Sequence, residues 1–277
     1  MSETLQTWLK RHPFLEPLAR LESVVGVLAR NLPRQEIRGL TFEPYAADFG
    51  AGVPLLRSEA PGRELLLGAA DAFAALTAAL TEAPIPETLA AKTRELHDDI
   101  RKTPDRAREV LLSLVMAPED APAVQHSGAA RYIAWTALTH ALGTTLEAYQ
   151  AWRQGEEWLR SYCPTCGASP LLSTLTKADE GRRRSLHCGL CATQWNVKRL
   201  GCPHCGTEDE DKLAILEIDA VPDLRLDVCD NCRGYLKTWA GQGEIAPYFS
   251  DWATLHLDAM AAERGYARLG DSLYEIP

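Results

Sequence analysis

The sequence predicts an α+β multidomain chain: an N-terminal all-α helical bundle, two tandem four-cysteine β modules of zinc-ribbon type, and a short C-terminal helix. Three observations predict it. All eight cysteines fall in four Cys-x-x-Cys pairs, Cys163/Cys166, Cys188/Cys191, Cys202/Cys205 and Cys229/Cys232. Before that stretch, apolar residues recur at helical spacing. Within it, short alternating segments lie between turn residues. The expected bounds are 1–159 for the helical domain, 160–199 and 200–242 for the two modules, and 243–277 for a helical tail that packs back on the body.

The helical elements follow in order. Leu5, Trp8 and Leu9 open an amphipathic segment, and Leu15, Leu18, Leu21, Val25 and Leu28 continue it. Pro33, Gly39, Pro44, Gly50, Gly52, Pro54, Pro61 and Gly62 then mark a long irregular connection. Leu65–Leu80 is an Ala/Leu helix, followed by helices over Pro86–Ile100 and Pro104–Val115, each with proline near its start, where it is tolerated. One long helix is expected over Ser127–Leu159, with Ile133, Ala134, Ala137, Leu138, Ala141, Leu142, Ala148, Tyr149 and Trp152 on one stripe. Such stripes first of all build a core. His97, His126 and His140 have no ligand-spaced companions.

Composition narrows the class. The net charge is −9, with 46% hydrophobic and 24% charged residues, as in ordinary globular chains. No apolar run reaches the roughly 18 residues that a membrane span needs, and the first ten residues lack the basic head and apolar core of a secretory signal. A cytoplasmic, reducing location is the expectation, and there paired cysteines hold metals rather than disulfides.

From Tyr162 the texture is strand-like. Leu171–Thr176 and Arg182–His187 flank the turn 177–181, Thr193–Lys198 follows, Leu213–Ile218 and Leu224–Val228 flank Val221–Asp223, and Gly234–Trp239 closes the set. The pattern repeats. Cys163-Pro-Thr-Cys-Gly matches Cys202-Pro-His-Cys-Gly 39 residues on, and Cys188-Gly-Leu-Cys matches Cys229-Asp-Asn-Cys 41 residues on. Pairing within each repeat gives site one as Cys163, Cys166, Cys188 and Cys191, and site two as Cys202, Cys205, Cys229 and Cys232. Each has the spacing of a four-cysteine ribbon. A tail helix is expected after Pro247, with Asp251 as its N-cap.

Four thiolates close a tetrahedral site and leave no position for substrate, so hydrolytic metal chemistry is not expected. Zinc or iron would suit tetrahedral sulfur. His187 and His204 adjoin complete ligand sets and are not expected to ligate. Trp195, Tyr235 and Trp239 are expected beside the knuckles as core. Arg182, Arg183, Arg184 and Lys198 form a basic patch, read either as a solvated face or as a docking surface for an acidic partner. Nucleic acid is disfavoured: residues 160–240 carry 11 basic and 11 acidic side chains, and loaded thiolate sites add negative charge. Two alternatives stay open, an electron carrier or redox sensor and a nucleic-acid-binding zinc ribbon.

The chain resembles the formate dehydrogenase accessory protein FdhE family. The resemblance rests on Cys163-Pro-Thr-Cys-Gly-Ala-Ser-Pro170, on Leu186-His-Cys-Gly-Leu-Cys191 with Trp195 and Arg199, on Cys229-Asp-Asn-Cys-Arg-Gly-Tyr-Leu-Lys237, and on Asp251–Asp258 with Gly265-Tyr266. It implies a cytoplasmic, non-catalytic maturation factor that binds the catalytic subunit of respiratory formate dehydrogenase before export. It also implies rubredoxin-like sites and favours iron over zinc in both.

Overall fold

The computed structural model describes residues 4–35, 40–115, 127–153, 158–178, 181–219, 221–242 and 244–274. The chain divides into two compact units. One holds Arg20–Glu157 with Pro164–Gly167 and Glu275–Pro277; the other holds Met1–Ala19, Trp158–Cys163 and Ala168–Tyr274.

The first unit is helical. Its elements are the body of α2 (Glu16–Arg30), α3 (Ala46–Ala51), α4 (Gly62–Gly68), α5 (Ala70–Thr81), α6 (Glu87–Lys102), α7 (Arg106–Ser113), α8 (Gly128–Ala141) and α9 (Gly143–Trp152). α5 is central, packing on α6, α7 and α8. Its Phe73, Leu76 and Leu80 are fully buried, each contributing about 1.5–3 kcal/mol of apolar burial. By length and composition Gly62–Thr81 could cross a membrane, contrary to the expectation that no stretch could. Half of it is buried within the unit, as in a core helix. The Ser127 side chain caps α8 by accepting from the Ala130 N–H. The single long helix expected over Ser127–Leu159 breaks at Leu142, just before Gly143, a poor helix former; α9 ends at Trp152, positions 154–157 of the expected helix lie outside the described residues, and Trp158 and Leu159 are not helical. The described part of the breaker-rich connection, 40–62, holds α3 and is tied down by backbone bonds. The N–H groups of Leu55 and Leu56 donate to the carbonyls of Pro164 and Thr165, at 2.9 and 2.8 Å.

The second unit is built on one sheet of β1 (Pro170–Ala178), β2 (Gly181–Cys188), β3 (Gln194–Val197), β4 (Leu213–Glu217), β5 (Leu224–Cys229) and β6 (Tyr235–Trp239), in the order β3-β2-β1-β6-β5-β4. All neighbours are antiparallel except β1 and β6, which run parallel with Leu172 opposite Lys237 and Thr174 opposite Trp239. The two expected tandem modules therefore share one continuous sheet, joined head to tail. Residues 170–175 of β1 and every residue of β6 are buried, so the two central strands are covered on both faces there.

One sheet face carries Leu172, Leu224, Leu226, Val228, Tyr235 and Trp239. The tail covers it with Tyr248, Phe249, Ala253 and Leu257, the last from α10 (Leu255–Glu263). The first helix, α1 (Leu5–Arg11), belongs to this core rather than to the helical unit. Trp8 is fully buried, stacks on Tyr248 at 4.1 Å, and donates its indole N–H to the Ala253 carbonyl at 2.9 Å. An indole with its polar edge satisfied explains why an amphipathic helix docks on a sheet more than 150 residues away in sequence. Asp251 does not cap by its side chain; its carboxylate is bound to Lys237 and Ser272 instead.

Candidate metal centres

The four cysteine turns share one construction. The N–H of each first cysteine donates to the carbonyl five residues on: Cys163 to Ala168, Cys188 to Thr193, Cys202 to Thr207 and Cys229 to Gly234, at 2.8–3.0 Å. The residue after each second cysteine is left-handed: Gly167 (φ 80°), Ala192 (φ 58°), Gly206 (φ 75°) and Arg233 (φ 57°). Glycine does this without strain. Ala192 and Arg233 do it at a cost the folded ribbon sustains. Arg233 is held by donating to the Gly265 carbonyl at 3.2 Å and by stacking 4.3 Å over Tyr266.

These turns bring the sulfurs together in two groups, Cys163/Cys166/Cys188/Cys191 and Cys202/Cys205/Cys229/Cys232, each with all sulfurs within 4.8 Å of one another. Both groups are those expected from the repeat. Four sulfurs about 2.3 Å from one ion stand about 3.8 Å apart at the corners of a tetrahedron. Cys163 and Cys191 are 3.5 Å apart, Cys202 and Cys232 3.7 Å, and Cys205 and Cys229 3.8 Å. That is too long for disulfides and right for tetrahedral thiolates, so the residues fit a metal in each group. Amide donors aim at the sulfurs, as thiolate sites require. Leu190 and Cys191 N–H groups approach Cys188 Sγ at 3.4 and 3.5 Å, and Asn231 Nδ2 donates to Cys205 Sγ at 3.3 Å.

The two groups differ in exposure. All four cysteines of the first are buried. The C-terminal strap seals that group: Ser169 N–H donates to the Asp271 carboxylate at 2.8 Å, and Asp271 N–H returns to the Ser169 carbonyl at 3.2 Å. A Cβ on Gly189 would lie 2.3 Å from the Asp271 carbonyl oxygen, so only glycine fits beneath the strap. In the second group Cys205 is exposed and Cys232 half-buried, and nothing stands within 4 Å of a Cβ built on Gly206. Burial pushes the Cys202 thiol up. At Cys205 slight burial opposes ionisation, but the Asn231 amide and the Thr207 N–H outweigh it and draw the thiol to about 7.

The neighbouring histidines are engaged elsewhere. His187 Nε2 lies 3.0 Å from Thr174 Oγ1, and burial pushes its pKa down to about 4. His204 Nε2 lies 3.3 Å from the Tyr235 carbonyl. Trp195 is buried, donating its indole N–H to Arg160 O at 3.1 Å.

The basic residues do not share one surface role. Arg182, Arg183 and Lys198 are partly or fully exposed, and Lys198 reaches Glu208 at 3.0 Å. Arg184 is buried, a correction to its expected place on a solvated basic patch. The 199–201 loop folds over it, and its guanidinium donates to Ser173 Oγ at 3.1 Å, the Gly201 carbonyl at 3.2 Å and Asp227 Oδ2 at 3.0 Å. It thereby anchors Gly201, the residue before Cys202. The sequence reading missed Asn231, although it sits inside the fourth Cys-x-x-Cys turn, where a side-chain amide can reach sulfur. It also missed Lys237, a buried lysine on β6 bound to Asp251 and Asp258.

Comparison with known proteins places these features. Residues 162–199 match the model of the FdhE central domain, and residues 200–274 that of the FdhE C-terminal domain. Protein FdhE of Escherichia coli O1:K1 / APEC is 37% identical over 121 residues, 43% of this chain and 38% of that protein. The FdhE homolog of Actinobacillus pleuropneumoniae serotype 3 (strain JL03) is 34% identical over 120 residues, 42% of this chain and 39% of that one. The chain thus spans less than half the length of the curated relatives it matches. The crystal structure of the FdhE protein from Pseudomonas aeruginosa covers 96% of this chain and 90% of its own, with 25% identity and a TM-score of 0.62.

Proposed function

From a chain whose residues 162–274 match the FdhE central and C-terminal domains, we propose a cytoplasmic, non-catalytic maturation factor for formate dehydrogenase. It binds the catalytic subunit before export and holds one metal ion in each four-cysteine group. The observation that carries this reading is the likeness to FdhE, which spans both cysteine groups in sequence and nearly the whole chain in fold. The chemistry of the donor sets supports it. Each thiolate group is complete, so an ion there would have no open position for substrate. The cysteines would hold the ion, the knuckle amides would fix the sulfur geometry, and the metal would supply folding energy on the order of 10 kcal/mol. Iron is favoured by likeness to the family, and zinc suits the same sulfurs.

A second reading is favoured by one observation, the exposed Cys205 edge of the second group: with iron bound, that edge would let an electron pass to or from a docked partner.

Deletion of the gene tests the first reading. Respiratory formate dehydrogenase activity is expected to fall to background and to return when the gene is restored. Full activity in the deletion strain, with no redundant factor, would remove this function.

A further inference from the structure

The internal repeat shows what one open side of the sheet is built to receive. In the strand registers, β2 residue n corresponds to β5 residue n+41, and β1 residue n to β4 residue n+42. The segment Leu172–Thr174 of β1 is covered in parallel by β6. Its counterpart on β4 is Ala214–Leu216, and among the described residues no strand covers that side of β4. Such an edge offers a row of backbone donors and acceptors to an added strand.

We propose that this edge is the docking site for an extended segment of the partner polypeptide, which joins the sheet parallel to β4, with an apolar side chain opposite Ile215 and basic residues toward its ends. The inference rests on the partner-binding reading above. Three observations support the occupant. First, the covered pair supplies the template: Thr238 of β6 lies opposite Ser173, the counterpart of Ile215, and fills that face by donating to Asp227 at 2.8 Å. Second, the sheet face that Ile215 shares with Asp227 and Leu236 carries a mainly apolar cavity of about 180 Å³, which Leu200 and Leu213 also line and which Arg199 and Arg225 border. Leu200 and Ile215 are 62% and 52% exposed and line this one cavity together, so they form a contiguous apolar patch rather than scattered side chains. Third, both ends of the edge are exposed and acidic on balance: Asp209, Glu210 and Asp211 precede β4 with Lys212 as the one cation among them, and Glu217 and Asp219 end it. Basic flanks on the incoming strand complement them.

A second copy is the competing occupant, since β3 is the matching free edge at the far side of the sheet. Pairing β4 of one copy with β3 of the next is head-to-tail and does not give a two-fold dimer, and β3 offers the exposed polar residues Gln194 and Asn196 in place of an apolar anchor.

Amide hydrogen exchange on the full metal-loaded chain, alone and with the formate dehydrogenase catalytic subunit, tests this. Binding is expected to slow exchange over 213–217 by roughly tenfold or more. Ile215→Asp should weaken the complex by roughly tenfold or more, while Ile215→Thr, which keeps a β-branched strand residue, should bind nearly as wild type. Two metals per chain and an unchanged melting temperature in both variants would show that the fold is intact. A complex that forms with β4 unprotected and with Ile215→Asp binding as wild type overturns the docking site while leaving the function standing. Failure of the wild-type chain to bind the subunit overturns both. Protection of β4 in the chain alone, rising with concentration alongside a dimer in sedimentation, assigns the edge to a second copy and overturns the partner segment.

Discussion

Lys237 Nζ lies 2.7 Å from Asp258 Oδ2, and neither side chain is more than 4% exposed. The same ammonium meets Asp251 at 3.0 Å, Tyr235 donates its hydroxyl to Asp258, and Ser272 donates to Asp251. One buried cation thus ties the central strand β6 to the tail at two carboxylates, and Tyr235 adds a third bond from the same strand. Removing it leaves two buried carboxylates facing each other. Lys237→Met is expected to cost about 3–5 kcal/mol in urea unfolding. Adding Asp251→Asn and Asp258→Asn should recover part of that loss, because the uncompensated charge goes with them. A loss below about 1 kcal/mol for the single variant would mean that the cluster does not hold the tail.

The left-handed residue after each second cysteine makes opposite predictions for two turns. Ala192→Gly removes a left-handed Cβ and should stabilise the chain by up to about 1 kcal/mol. Gly167→Ala adds one, and its Cβ would lie 2.7 Å from the Arg57 guanidinium carbon, so it should destabilise. Melting temperatures of the two metal-loaded variants, moving up and down respectively, check the pair.

How much of this was legible in the sequence follows from how local each feature is. Cysteine spacing alone assigns both metal groups, because each turn is a self-contained six-residue loop and the 39/41 repeat pairs them. Gly167 and Gly206 announce their backbone, whereas Ala192 and Arg233 take the same conformation with no glycine to signal it. The joining of β1 to β6 in parallel leaves no local mark, and without it Lys237 reads as an ordinary polar position on a half-buried strand. Arg184 reads as one of three basic residues, and only the 199–201 loop folding back reveals it as a buried support. Trp8 looks like part of a helical bundle, since its helical spacing says nothing about which surface the helix meets.

His256 gives the fold an acid-sensitive point. Burial, then the nearby His12 and Lys237, push its pKa from 6.5 down to about 4. In the unfolded chain it takes a proton near 6.5, and in the folded chain it resists until about 4. Its contribution to stability is therefore complete above pH 6.5 and is lost as the pH falls through that window. His256→Phe, which keeps an aromatic ring beside Trp8, should flatten the decline in urea stability between those two pH values. An unchanged slope would contradict this.

The exposure difference predicts two rates of metal loss. A competing chelator or a mercurial reagent should take one metal rapidly, through the Cys205 edge, and the second slowly, from beneath the Asp271 strap. Asp271→Ala should speed the slow phase and leave the fast one unchanged. A single phase in the wild type would show that the strap does not seal the first group.

The central claim is that eight cysteines form two separate four-thiolate centres, and metal content of protein purified without oxygen tests it most directly. Two ions per wild-type chain are predicted, one each in Cys163→Ser and Cys202→Ser. A single ion in the wild type, or loss of both ions from either variant in chains that remain folded, would contradict it.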